Sequence, residues 1–195
     1  MELVQRASDV QRLTESLGQL PESMAEPAFI VVSGLPGSGK SYFCNRLAER
    51  LPFVILESDV LRKTLFPSPG YSPQESNRLF QACHLLIEKL LKKGIPLILD
   101  ATNLSERYRE RLYSIAEHLD AKLILVRVEA PAEVVRERLR TRQGGINPGD
   151  KSDADWEVYQ RMKTTAQKIQ RNHYAADTSR DITPVLDKIT REMRR

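Results

Sequence analysis

The stretch Phe29-Ile30-Val31-Val32-Ser33, followed by Gly34-Leu35-Pro36-Gly37-Ser38-Gly39-Lys40-Ser41, decides how the rest of this chain is read. Its first residues are a continuous apolar run, the look of a strand covered on both faces in a parallel sheet. The residues from Gly34 to Ser41 match G-x-x-x-x-G-K-[ST] at every fixed position, between that strand and a helical pattern beginning at Lys40. Glycines let the backbone curl until several N–H groups point at one anion, and the helix N-terminus adds about half a positive charge there. The pattern predicts that Gly34, Leu35, Pro36, Gly37, Ser38, Gly39, Lys40 and Ser41 cradle the phosphates of a nucleoside triphosphate. Lys40 reaches the β- and γ-phosphates in such a loop, and the Ser41 hydroxyl ligates Mg²⁺.

Helix and strand signals alternate outward from this point. Leu3, Ala7, Val10, Leu13, Leu17 and Leu20 recur every three or four residues and predict an amphipathic helix over residues 3–20. Lys40–Leu51 reads as helix and Phe53–Glu57 as strand. Ser72 is placed to cap a helix, with Pro73 at its first position, Glu75 completing a capping box and Gly94 as its stop. Ile95–Asp100 reads as a third strand, Ser105 caps a helix to Leu119, and Lys122–Val128 is a fourth strand. Pro131 opens a basic helix that runs into Gly144-Gly145-Ile146-Asn147-Pro148-Gly149, a run of helix breakers that reads as a mobile loop. Ser152 caps a helix over 153–171, a short strand lies near Tyr174–Thr178, and Thr183-Pro184 starts a closing helix. Alternating βα units predict a five-stranded parallel sheet with helices on both faces, with chemistry at the carboxyl ends of the strands.

Composition narrows the classes. The chain has 195 residues, 41% of them hydrophobic and 29% charged, enough for one ordinary globular domain. No apolar run approaches the roughly 18 residues of a membrane-spanning helix, and the opening residues lack the apolar block of a signal peptide, so a cytoplasmic protein without a membrane partner is expected. Two cysteines, Cys44 and Cys83, make no disulfide framework, and three scattered histidines form no metal-ligand pattern. Residues 1–130 carry 16 basic and 16 acidic side chains, while 131–195 carry 14 and 10, so the excess charge sits around Arg136, Arg138, Arg140 and Arg142.

Around the loop, Asp59 lies just past the second strand, where a carboxylate can accept the proton of an attacking hydroxyl. A plain helix cap by Ser58 or Asp59 is the alternative reading. Arg62 follows one helical turn later. Asp100 ends Leu97-Ile98-Leu99-Asp100, which resembles a Walker B strand, and is expected to hold a Mg²⁺-bound water near Ser41. Thr102 and Asn103 follow at the same strand end and are read as orienting the acceptor. Arg138 and Arg142 share a helix face and are read as stabilising the charge on the transferring phosphoryl group, with a lid at about 143–152 as the hinge. Arg136 and Arg140 fall on another face and read as solvated. Trp156 and Tyr159 read as packing, and Cys44 as a small buried hydrophobe.

With GLPGSGKS at 34–41, SDVLRK at 58–63, YSP at 71–73, LILDATNL at 97–104 and the Arg138/Arg142 pair, the chain resembles a group of small P-loop kinases. That group includes the kinase domain of polynucleotide kinases and the zeta toxins, and the closest likeness is to predicted bacterial P-loop kinases without an assigned substrate. The resemblance runs from Phe29 to the C-terminus, with residues 1–26 as a helical extension and 27–195 as the kinase domain. It implies the P-loop NTPase fold with a short lid, and ATP and Mg²⁺ as cofactors. It also implies Asp59 as general base, Arg62 on the acceptor or its phosphate, and Arg142 on the phosphates from the lid. The expected function is transfer of the γ-phosphoryl group of Mg·ATP to a hydroxyl of a small molecule. A polynucleotide 5′-hydroxyl ranks second as acceptor, since the phosphatase or ligase domain usual in polynucleotide kinases is not among these 195 residues. A regulatory ATPase is the alternative from another class. No N-K-x-D guanine-reading motif occurs, and a mechanical ATPase would add a helical lid domain.

Overall fold

The computed structural model describes residues 2–143 and 154–194. Strand β1 (Ala28–Ser33) is buried at every position and lies in the middle of the sheet. Its alternate side chains enter different cores, which is why the run is apolar throughout rather than every second residue. Phe29 and Val31 face one layer, and Ala28, Ile30 and Val32 face the other. β1 pairs in parallel with β3 (Leu97–Asp100) on one side and β4 (Lys122–Glu129) on the other. β2 (Val54–Glu57) extends the sheet beyond β3 and β5 (Tyr174–Asp177) beyond β4, giving the order β2-β3-β1-β4-β5. This is the expected five-stranded parallel sheet with helices on both faces.

Helix α2 (Lys40–Ala48) and α8 (Thr183–Met193) cover one face through Phe43, Cys44, Leu47, Leu186 and Ile189. The other face is covered by α3 (Ser58–Leu65), α4 (Pro73–Lys92) and α5 (Glu106–His118), with α1 (Glu2–Ser16) laid over α3 and α4. Helix α6 (Ala132–Gln143) and α7 (Trp156–Thr165) make a small cluster of their own, Val135, Leu139 and Tyr159, against Leu35 of the glycine-rich loop. Trp156 and Tyr159 stack at 4.8 Å between centroids within it, so packing is their role here.

Several local expectations are corrected. Ser72 does cap α4, its hydroxyl accepting from the Glu75 N–H at 3.1 Å. Glu75, however, accepts from the Gly70 N–H rather than returning to Ser72, because the turn before the helix brings Gly70 within reach of both carboxylate oxygens at 3.0 Å. Ser105 precedes α5 without a side-chain cap bond. The Glu106 N–H is taken instead by the Gln167 side chain at 2.6 Å. The helix expected over 153–171 is shorter: its cap is Asp155, which accepts from the Val158 N–H at 2.8 Å, and it ends at Thr165. The chain leaves the helix there because the Gln167 N–H donates to the Leu104 carbonyl and the Gln167 carbonyl accepts from buried Arg109. Of the expected lid at about 143–152, Gln143 ends α6, and the rest, with Ser152, lies outside the described residues.

Candidate active site

Gly34 to Gly39 connect β1 to α2 at the carboxyl end of the sheet. Gly39 caps α2 with φ of 90°, a left-handed conformation that residues with a Cβ rarely adopt. Crowding fixes the loop from outside as well. A Cβ on Gly37 would lie 2.9 Å from Val135 of α6, and one on Gly39 2.7 Å from the Thr178 hydroxyl. The N–H groups of the first turn of α2 are left without helical partners, the arrangement that binds anions.

Lys40 folds back over the loop, its Nζ donating to the Leu35 carbonyl at 3.1 Å. Burial pulls its pKa below the ordinary lysine value, while Asp100 and Asp59 pull it back up and Arg142 adds to the lowering. Ser41 donates to Asp100 Oδ2 at 2.6 Å. Asp100 is pushed above the usual carboxylate range first by burial, against the lowering by Lys40 and the Ser41 hydroxyl, with Glu57 and Asp59 adding to the rise. Glu57 was not singled out by the sequence. It is the register partner of Asp100 across β2 and β3, a pairing visible only once the strands are side by side.

Asp59 stands in the first turn of α3, immediately after β2. Glu57 holds the N-cap position of that helix, without a side-chain cap bond, so neither Ser58 nor Asp59 is its N-cap. Arg62, one turn on, is only 7% exposed. Its Nη2 donates to the Ser76 hydroxyl at 3.2 Å, its Nη1 lies 3.8 Å from Glu75, and its guanidinium sits 4.9 Å over the Tyr71 ring. Nη1 is buried and has no hydrogen-bond partner.

Two expected site residues are placed differently. Arg138 donates to the Thr178 hydroxyl at 2.8 Å, to the Thr178 carbonyl at 2.9 Å and to the Gly37 carbonyl at 3.3 Å. Its fork therefore clamps α6, the loop and the end of β5 together. Thr178, which also donates to the Ser38 carbonyl at 2.7 Å, was missed by the sequence reading because it follows a short strand with no motif. Asn103, with φ of 45°, spends its amide on the Val32 carbonyl at 2.8 Å, and its own carbonyl accepts from Ser33 and Arg109. These bonds close the turn after β3. The Thr102 carbonyl accepts from the Gly34 N–H at 3.1 Å, leaving its half-buried side chain at the strand end. Arg136, stacked 5.5 Å over Trp156, and Arg140, paired with Glu137, are exposed as expected.

The parallel sheet and the Gly34–Ser41 loop define a P-loop NTPase-type protein. Residues 29–169 match the family model described as an AAA domain (AAA_33), and the chain belongs to that family. It is 27% identical over 128 residues to a gluconokinase of Gluconobacter oxydans (strain 621H), covering 63% of this chain and 70% of the relative. It is 29% identical over 135 residues to an adenylyl-sulfate kinase of Paraburkholderia xenovorans (strain LB400), covering 64% and 74%. Among solved structures, an APS kinase of Mycobacterium tuberculosis in complex with AMPPNP and APS superposes with a TM-score of 0.63 at 18% identity, covering 87% of this chain and 99% of that one. The relatives named here are kinases, which supports an ATP-dependent phosphotransferase over a mechanical ATPase. No described helix is long and apolar enough to cross a membrane.

Proposed function

We propose that the protein is a kinase that transfers the γ-phosphoryl group of Mg·ATP to a hydroxyl of a small anionic acceptor. The observation that carries this reading is the place of Asp59, just past β2 at the same end of the sheet as Asp100, whose carboxylate accepts from Ser41 of the loop at 2.6 Å. In this reading Asp59 takes the proton of the acceptor hydroxyl as its oxygen attacks the γ-phosphorus and the bond to the departing ADP oxygen breaks. Lys40, the loop N–H groups and Arg142 offset the charge on the moving group. Arg138 keeps the loop in place rather than touching the phosphates.

Ser41 and Asp100 would hold the magnesium ion. An alcohol beside a carboxylate suits a hard cation that keeps phosphate and water oxygens as its other ligands. Among the described residues no three acidic, His or Cys side chains converge to hold a metal without the nucleotide. When bound, the ion would neutralise charge on the phosphate oxygens. Arg62 supports the anionic acceptor: its buried Nη1 makes no hydrogen bond, the Glu75 carboxylate standing 3.8 Å away, and an acceptor oxyanion would supply that bond. The relatives point the same way: gluconokinase and adenylyl-sulfate kinase are named for small anionic hydroxyl compounds.

The test is ADP release from Mg·ATP across sugar acids, adenylyl sulfate, nucleosides, amino sugars and 5′-hydroxyl oligonucleotides, with Lys40→Ala and Asp59→Ala beside the wild type. One small anionic class should raise turnover well above the basal rate. Asp59→Ala should lower that turnover by about 10²–10⁴-fold while ATP affinity changes only slightly. Equal loss of turnover and ATP affinity would remove Asp59 as the base. Stimulation by oligonucleotides alone would move the protein to the polynucleotide kinase group, and turnover without any acceptor would make it an ATPase.

A further inference from the structure

The family match begins at residue 29, so α1 lies outside it. Yet α1 is built into the molecule. Leu13 is fully buried in the main core, and Asp9, a charged residue on an N-terminal helix, is 1% exposed. Both oxygens of Asp9 accept from Arg78 of α4 at 2.7 Å, and Gln5 donates to one of them at 3.0 Å. One turn further, Arg12 donates to the Thr64 carbonyl of α3 at 2.6 Å. Arg78 also lies 5.2 Å over the ring of Phe66, the residue that ends α3. Helix α1 thus ties the end of α3 to the start of α4 with charge-assisted bonds, the stronger class of hydrogen bond.

The place of this junction gives it a consequence. Arg62 is one turn before Phe66 on α3, and the Phe66 N–H donates to the Arg62 carbonyl at 2.8 Å. Ser76 and Glu75, which flank the Arg62 guanidinium, are within one turn of Arg78 on α4. Both helices that hold Arg62 are therefore fixed by α1 within a turn of it. We infer that Asp9 and Arg12 are positioning residues for the acceptor: through the α3–α4 junction they hold Arg62 where an anionic acceptor is bound. This rests on the kinase reading above for the identity of the ligand, but not for the mechanical claim about α3 and α4.

The two free cysteines allow both claims to be tested in the intact chain. Cys83 lies in α4 beside Leu79 and Leu86, with burial pushing its thiol up to about 12, so its labelling reports opening of that layer. Cys44 lies in the opposite core and reports global unfolding. In Asp9→Asn and Arg12→Ala, Cys83 should react with a thiol reagent about ten-fold faster while Cys44 keeps its rate, and the KM of the most active acceptor should rise about ten-fold with kcat held. Thr14→Val breaks another bond between α1 and α4, from Lys89 at 3.1 Å, far along α4 from Arg62, and should leave that KM unchanged. An unmoved KM in Asp9→Asn and Arg12→Ala, equal acceleration of Cys83 and Cys44, or an equal KM rise in Thr14→Val would each overturn the inference. If no acceptor stimulates even the wild type, the kinase reading fails, and the Cys83-to-Cys44 ratio alone decides whether α1 holds the junction.

Discussion

The first glycine of the loop gives the most exacting test of how this site is built. Gly34 needs no left-handed backbone; it is a glycine because β4 comes too close. A Cβ there would lie 2.3 Å from the Val128 carbonyl oxygen and 2.7 Å from the Ser38 hydroxyl. The Ser38 hydroxyl has no hydrogen-bond partner and can rotate away, but the carbonyl belongs to the backbone of β4 beside the centre of the sheet. Ordinary contact begins at 3.4 Å, so Gly34→Ala must part the end of β1 from β4 by about 1 Å. Overpacking of that size costs about 3 kcal/mol, which lowers the Tm of a domain this long by about 6–12 °C. The same movement drives the end of β1 towards β3, against the Thr102 carbonyl that accepts from the Gly34 N–H, and turns the loop N–H groups, so affinity for a non-hydrolysable ATP analogue should fall as well. Gly18→Ala is the control. Nothing lies within 4 Å of a Cβ there, and the change should be neutral or slightly stabilising. Calorimetry and titration with the analogue measure both quantities. A Gly34→Ala protein that melts like the wild type and binds the analogue normally would show that β4 yields freely, and the argument from close approach would be wrong.

Three further outcomes are expected. Asp100→Asn removes the charge that accepts the Ser41 hydroxyl, so the Mg²⁺ concentration needed for half-maximal turnover should rise while the melting temperature in the absence of nucleotide does not fall. Asp100→Asn with an unchanged Mg²⁺ requirement would remove it from the metal site. Leu13→Ala leaves a cavity at a fully buried position of α1 and should cost about 2–5 kcal/mol by denaturant unfolding; a loss close to zero would mean that α1 is not packed as described. The third concerns pH. Burial, helped by Arg111, pulls the His84 imidazole down to about 4 from 6.5, so the unfolded chain binds a proton that the folded chain refuses. The stability tied to neutral His84 is complete above 6.5 and is lost as the pH falls towards 4. His84→Gln should flatten the stability profile across that window, and an unchanged slope would assign it to other groups.

Much of the site was legible because it is local. The strand, the glycines, Lys40 and Ser41 follow one another without a gap, and the backbone of a short segment is shaped mainly by its own residues. The alternation of apolar runs with helical periods was enough to imply a parallel sheet, and Ser72 before Pro73 was enough to start α4. Residues with several donors were less readable. Arg138 and Asn103 sit where phosphate or acceptor contacts were expected, but each is claimed by a partner remote in sequence, Thr178 and Val32. A side chain bonds to whatever the fold brings within about 3 Å, and spacing along the chain does not say what that will be.

The same division holds for the molecule as a whole. By itself the sequence determined the phosphate loop, the class of sheet and the start of α4 at Ser72, because each depends on neighbours within a few residues. Only the tertiary structure decided that β1 lies between β3 and β4, that Glu57 stands beside Asp100, and that Arg62 is buried with a nitrogen left over. It alone placed α1 on the α3–α4 junction, since an amphipathic face specifies that it must be covered and not what covers it.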